Sequence, residues 1–211
     1  MAKKTKPGKM SAADLRAMIN KSAGMEVAHS LVGENPTEVK EWIPTGSRWL
    51  NSIICRGKIA GIPVGKISEI AGLEATGKSF LAAQVAANAQ KMGMHVVYFD
   101  SESAIDPSFL EKAGCDLKDL VYVQAFSVEF VLKMIEQIMA SGQERTLFIW
   151  DSMAFTPAKG DLDGDFNPQS SMALKARILG KAMSKLLISV ANTKSTLLVL
   201  NQLKTNITRL P

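Results

Sequence analysis

Three stretches of this 211-residue chain carry side chains suited to handling a phosphate. The first, Gly-Leu-Glu-Ala-Thr-Gly-Lys-Ser at 72–79, fits the pattern G-x-x-x-x-G-K-[ST]. Gly72 and Gly77 let the backbone wrap a phosphate closely, and the amides opening the next helix face its negative charge. Lys78 would reach the β- and γ-phosphates, and the Ser79 hydroxyl would hold Mg²⁺. A Gly-rich turn that binds nothing satisfies the same bare pattern. The flanks argue for a phosphate, because an apolar run at 67–71 reads as a strand and 80–87 reads as a helix. The second stretch is 146–151, Thr-Leu-Phe-Ile-Trp-Asp, an apolar run ending in acid. Asp151 would hold Mg²⁺ through water or through Ser79; the bland alternative is a strand-end Asp that caps the next turn. Ser152 follows, not Glu, so a base for water must come from elsewhere. The third stretch supplies one. Glu102 stands just past the strand-like run 95–100, and would orient an attacking water if that strand lies beside the strand of Asp151. Otherwise it is a surface acid in an Asp-Ser-Glu-Ser turn.

The elements that must position these groups alternate. Apolar strands are expected at 67–71, 95–100, 120–123, 146–151 and 195–201. Helices are expected at 49–54, 78–92, 107–113 and 170–191, and from Ser127 to Gly142. In the last of these, Val128, Val131, Leu132, Ile135, Ile138 and Met139 fall on one face. Residues 156–169, with Pro157, Gly160, Gly164 and Pro168, read as loop. The pattern predicts an α/β fold: a mostly parallel central sheet flanked by helices on both faces. Ligands then bind at the C-terminal ends of the strands, where the phosphate loop, Asp100, Asp151 and Asn201 would converge. Ahead of this core, Ser11 caps a short helical pattern of Leu15, Met18 and Ile19 that Gly24 ends. The organisation expected is a small N-terminal tail and helix over 1–40 and a core over 41–211. The appendage would pack on this core or on a neighbouring subunit.

Composition bounds the function. Apolar residues make up 46% and charged residues 21%, as in globular domains, and no apolar run has the length of a membrane span. Lys3, Lys4, Lys6 and Lys9 precede no apolar segment, so the start is not read as a secretory signal. The net charge of +5 permits a polyanionic partner. Cys55 and Cys115 lack metal-ligand spacing and suit a reducing compartment. The 170–191 helix carries Lys175, Arg177, Lys181 and Lys185 and no acid, a surface suited to nucleic-acid phosphates. Asp161, Asp163 and Asp165 just ahead of it oppose that reading, and a solvated helix face is the alternative.

Several segments, taken together, resemble the RecA recombinase family. The stretch 100–107, Asp-Ser-Glu-Ser-Ala-Ile-Asp-Pro, resembles the segment that carries that family's catalytic Glu. Thr45-Gly46-Ser47 with Trp49-Leu50-Asn51 resembles the stretch ahead of its phosphate loop. Asp151-Ser152 with Thr156-Pro157, and Asn201-Gln202, resemble two of its strand ends. The matches run in the family's order from about residue 40 onward. The phosphate loop departs in its Leu-Glu-Ala-Thr interior and in having Ser79 for Thr; a phage recombinase of the UvsX type is similar too.

The resemblance implies a P-loop NTPase of RecA-like fold that uses ATP and Mg²⁺. Glu102 would be the catalytic base. Gly72, Leu73, Glu74, Ala75, Thr76, Gly77, Lys78 and Ser79 would bind the phosphates, with Ser79 and Asp151 at Mg²⁺. Asp106 and Phe109 would meet the adenine, and Gln202 would sense the γ-phosphate. Residues 158–169 would form a first DNA loop and 203–211 begin a second, with Arg177, Lys204 and Ile207 contacting DNA. The implied protein is a cytoplasmic, ATP-dependent recombinase without a membrane partner. It forms filaments on single-stranded DNA, pairs it with double-stranded DNA and exchanges strands in recombination and repair. The alternatives are another RecA-fold motor, such as a DnaB-like helicase or a KaiC-like ATPase, or a non-hydrolysing recombination accessory protein. The family's core continues past the Asn201 strand, so the resemblance also implies either a fragment or a shortened relative, whose last strand could lack a neighbour.

Overall fold

The computed structural model describes residues 10–24, 27–32, 38–58, 60–162 and 168–203, the stretch 168–173 by its backbone only. The chain divides into two units, Met1–Glu38 and Val39–Pro211. In the first, helix α1 (Ala12–Ala23) opens on a reciprocal cap. The Ser11 hydroxyl accepts from the Asp14 amide, and the Asp14 carboxylate accepts from the Ser11 amide. Gly24 closes the helix in the left-handed region, where a glycine costs least. The Asn20 side chain then ties down the amides of Val27 and Ala28. No residue of α1 is buried, and none of the unit's other described residues is.

The second unit begins with a two-stranded antiparallel ribbon, β1 (Trp42–Ile43) and β2 (Ile62–Pro63), enclosing helix α2 (Arg48–Ile54). Gly61 makes the close approach possible. Its φ is +141°, and a Cβ there would lie 2.1 Å from the Ile43 carbonyl oxygen.

The main sheet is β3 (Ile67–Gly72), β4 (His95–Asp100), β5 (Leu120–Gln124), β6 (Thr146–Asp151) and β7 (Thr196–Gln202). All pairings are parallel, in the order β3-β7-β6-β4-β5. Side chains alternate between the sheet's two cores, as strand geometry requires. Val96, Tyr98, Leu147, Ile149, Leu198 and Leu200 share one core cluster with the alanines of α3 (Lys78–Lys91). Val97, Phe99, Phe148, Trp150, Leu197 and Val199 share the other with α5 (Val128–Ala140) and α7 (Pro168–Asn192). Helix α4 (Pro107–Ala113) follows β4, with Pro at its start and Gly114 at its end. The α/β class and the parallel sheet expected from the sequence are therefore present.

Two expectations are corrected. The last strand does have neighbours: β7 inserts between β3 and β6, and the sheet edges are β3 and β5. Apolar content gives no strand order, and the connection through α7 carries the chain back beside the phosphate-loop strand. The 156–169 loop is also not all loop. Lys159–Leu162 forms a short helix, α6, whose Asp161 carboxylate accepts from the Ala158 amide, and α7 starts at Pro168. Residues 163–167 lie outside the described residues. No helix among the described residues is long and apolar enough to cross a membrane.

Candidate functional site

The loop after β3 is shaped around its glycines. Gly77 has φ +85° and Ala75 φ +56°, and a Cβ on Gly72 would meet the Thr76 hydroxyl oxygen at 2.9 Å. Thr76 donates to the Leu73 carbonyl at 2.8 Å, which holds the loop closed on itself. Lys78 folds back over the loop and donates to the carbonyls of Gly72 and Leu73 at 3.2 and 2.6 Å. Gly77 caps α3 without any side-chain hydrogen bond, so the first-turn amides keep no side-chain acceptor. Loop residues 73–77 are exposed. An exposed ring of backbone donors at the start of a 14-residue helix, with an ammonium beside it, suits an anion.

The two acids at the neighbouring strand ends are in register. Asp100 on β4 lies opposite Asp151 on β6. Their environments differ. Asp100, 2% exposed, accepts from the Glu102 amide (2.9 Å), the Ile105 amide (3.2 Å) and the Tyr122 hydroxyl (3.1 Å). It therefore braces the turn that carries Glu102. Asp151, 8% exposed, accepts from the Tyr98 hydroxyl at 2.7 Å. Burial, with the Asp151 charge beside it, pushes the Tyr98 hydroxyl far above its ordinary range, so Tyr98 stays a donor. Burial and the bond to Asp100 raise the Tyr122 hydroxyl as well.

Glu102 is locked to the strand end of Asp151. The Ser152 hydroxyl donates to its Oε1 at 3.3 Å, and Ser101 exchanges hydrogen bonds with the Ser152 backbone, both at 2.9 Å. The Asp151–Ser152 peptide bond is cis. Trp150 donates from its ring to Thr156 at 2.8 Å, and Thr156 donates to the Ser152 carbonyl at 3.0 Å. Asp106 caps α4 by accepting from the Ser108 amide. Phe109 packs on Phe80 of α3, ring centres 6.0 Å apart and tilted by 60°.

A cavity of about 270 Å³ joins these pieces: Ser79, Asp100, Glu102, Asp106, Phe109 and Asp151 all line it, with Ala104 and Ile105. Five of the sequence-predicted site residues thus meet at one opening. Gln202 does not line it, but pairs in register with Gly72, and the Leu203 amide donates to the Gly72 carbonyl at 3.0 Å. The Asn201 side chain turns to Glu69 on β3. Arg177 is exposed on α7 and does not line the cavity. Lys175 reaches the Ala154 carbonyl and Lys185 pairs with Glu136, so the basic stripe of α7 is partly engaged within the chain. Lys204 and Ile207 lie outside the described residues.

The family model for the RecA N-terminal domain matches residues 11–210. The chain belongs to the RecA family. The protein RecA of Bifidobacterium longum is 34% identical, over 98% of this chain and 54% of its own length. RecA of Bifidobacterium breve is 36% identical, over 90% and 47% of the two chains. RecA of Fusobacterium nucleatum is 36% identical, over 96% and 52%. The chain spans about half the length of the curated relatives it matches. The family that Asp100–Pro107 and Asn201-Gln202 resemble is the one that the family model matches. Sequence reading missed the two tyrosines and the Ser101–Ser152 pair. One signal was available: a Tyr inside a buried strand must find a partner for its hydroxyl.

Proposed function

We propose that this chain binds ATP with Mg²⁺ and hydrolyses it as the motor domain of a cytoplasmic DNA recombinase. In this reading it polymerises on single-stranded DNA, pairs it with double-stranded DNA and promotes strand exchange in recombination and repair. The observation that carries the reading is the meeting of Ser79, Glu102, Asp106, Phe109 and Asp151 at one cavity beside the phosphate loop.

Residues 72–79 would hold the phosphates. The fit is favourable: the loop's left-handed residues and the uncapped amides of α3 form a cradle that a Cβ at Gly72 would crowd. Lys78 exchanges its two carbonyl partners for phosphate oxygen. Ser79 and Asp151 offer the oxygen donors that Mg²⁺ prefers, and no cluster of three or more metal-ligating side chains occurs among the described residues. When bound, the cation neutralises charge on the transferring phosphoryl group. Glu102, steadied by Ser152 and by its own amide on Asp100, orients a water and accepts its proton. Phe109 presents a face to adenine, and Asp106 accepts from it with the oxygen not needed at the α4 cap. Gln202, opposite Gly72, passes the state of the phosphate loop to the segment after β7. Lys204 and Ile207 in that segment, and Arg177 on α7, contact DNA, the cations through backbone phosphates and so with little sequence preference. Residues 1–40 serve polymerisation by packing on the next subunit, and 41–211 form the ATPase core.

The test is the affinity of the chain for labelled single-stranded DNA with ATP, ADP and a non-hydrolysable analogue, alongside ATP turnover with and without DNA. The reading expects ATP-dependent binding and DNA-stimulated turnover. Turnover indifferent to DNA would point to a motor of another kind. Equal DNA affinity with ATP and the analogue, without turnover, would point to an accessory protein.

A further inference from the structure

We infer that Tyr98 is a positioning residue that fixes the carboxylate of Asp151 for the cation site. The inference rests on the reading of Asp151 given above. Of the two acids in register at the strand ends, Asp100 is committed to two amides and a phenol. Among the described residues Asp151 takes one side-chain hydrogen bond, from the Tyr98 hydroxyl to Oδ2 at 2.7 Å. A carboxylate has about four lone-pair sites, so one short bond restrains its rotation and leaves acceptor capacity for the cavity it lines.

The donor is itself held in the core. Tyr98 is fully buried and shares a core cluster with Ala82, Ala83 and Ala86 of α3. Helix α3 carries Ser79 in its first turn. The two proposed cation ligands come from different elements, Ser79 from α3 and Asp151 from β6. The Tyr98 ring, wedged in the core that joins those elements, references one to the other. Groups that orient a metal ligand in this way commonly change metal affinity about 10- to 100-fold when removed. Tyr98→Phe keeps the ring and its packing and deletes only the donor.

The experiment is a Mg²⁺ titration of the whole chain with a fluorescent ATP analogue, read by anisotropy. Wild type, Tyr98→Phe and Asp151→Asn are compared, each well below its own Tm. The inference expects nucleotide affinity to rise with Mg²⁺ in the wild type and the rise to vanish in Asp151→Asn. In Tyr98→Phe the Mg²⁺ midpoint moves up about 10-fold, while affinity without Mg²⁺ stays the same. An unmoved midpoint in Tyr98→Phe, beside a lost response in Asp151→Asn, overturns the inference and leaves the cation reading standing. A lower Tm with no shift in midpoint also overturns it, by reducing Tyr98 to a packing role. An Asp151→Asn chain that responds to Mg²⁺ like the wild type overturns the cation reading, and the inference with it.

Discussion

Replacing Thr156 by Val isolates the brace under the proposed catalytic turn. The two side chains have nearly the same shape, but Val has no hydroxyl. Trp150, Thr156 and Ser152 are all buried, at 0, 0 and 2% exposure. The substitution removes two hydrogen bonds: Trp150 Nε1 to Thr156 Oγ1 at 2.8 Å, and Thr156 Oγ1 to the Ser152 carbonyl at 3.0 Å. Their costs differ. The Ser152 carbonyl still accepts from the Ser101 hydroxyl at 2.9 Å and from the residue 156 amide at 3.3 Å, so it stays satisfied. The Trp150 ring N–H is left buried without a partner, which costs about 1–3 kcal/mol. A loss of about 2 kcal/mol is therefore expected. Urea unfolding followed by far-ultraviolet circular dichroism measures it. With m near 2 kcal/mol/M, the midpoint falls by about 1 M at constant m. Trp150→Phe made in the Thr156→Val background removes the orphaned donor, so the double variant loses less than the sum of the two single losses. A midpoint shift below about 0.25 M, or strict additivity in the cycle, would refute the reasoning.

Three further outcomes follow from the geometry. Gly61→Ala places a Cβ against the Ile43 carbonyl at a left-handed φ and should lower stability by at least about 2 kcal/mol, read as a fall in Tm. Gly72→Ala pushes the Thr76 hydroxyl out of its place, so fluorescent-nucleotide affinity should drop about tenfold or more while Tm changes little. The third concerns alkaline pH. The Tyr98 hydroxyl is raised in the folded state, so its contribution is whole below the ordinary tyrosine value near 10 and is lost as pH rises above it. Above about pH 10 the unfolded chain releases a proton that the folded chain keeps, and stability falls by up to about 1.4 kcal/mol per pH unit. Tyr98→Phe should flatten that slope in urea melts between about pH 10 and 11, and an equal slope in both chains would contradict the assignment.

Much of the site was legible because its parts are local. The phosphate loop, the acid ending the 146–151 run and the Glu just after 95–100 are each marked by residues within a few positions of one another. Caps were legible for the same reason: Ser11, Ser127 and Gly24 act on residues within a turn of themselves. What spacing does not contain is which strands are neighbours. The strands β4, β6 and β7 are all apolar runs of similar character, and their order depends on where each connection returns to the sheet. That is why the pairing of β4 with β6, on which Glu102 depends, was only a condition, and why β7 was expected at an edge. Long-range polar contacts were illegible on the same ground. The bond from Tyr98 to Asp151 joins residues 53 apart, and Ser152 to Glu102 joins residues 50 apart. The basic pattern of the 170–191 helix could be counted, but not that Lys185 would be taken by Glu136 on α5.

The most direct test of the central claim is ATP hydrolysis by Glu102→Gln beside the wild type, with single-stranded DNA present and nucleotide affinity measured in parallel. Gln keeps the shape and can still meet Ser152, but it cannot accept a proton from water. The account predicts that turnover falls at least about 100-fold while ATP affinity stays within a few-fold of the wild type. Turnover retained near the wild-type rate would contradict the account, since the carboxylate that lines the cavity beside Ser79 and Asp151 would then have no part in the chemistry.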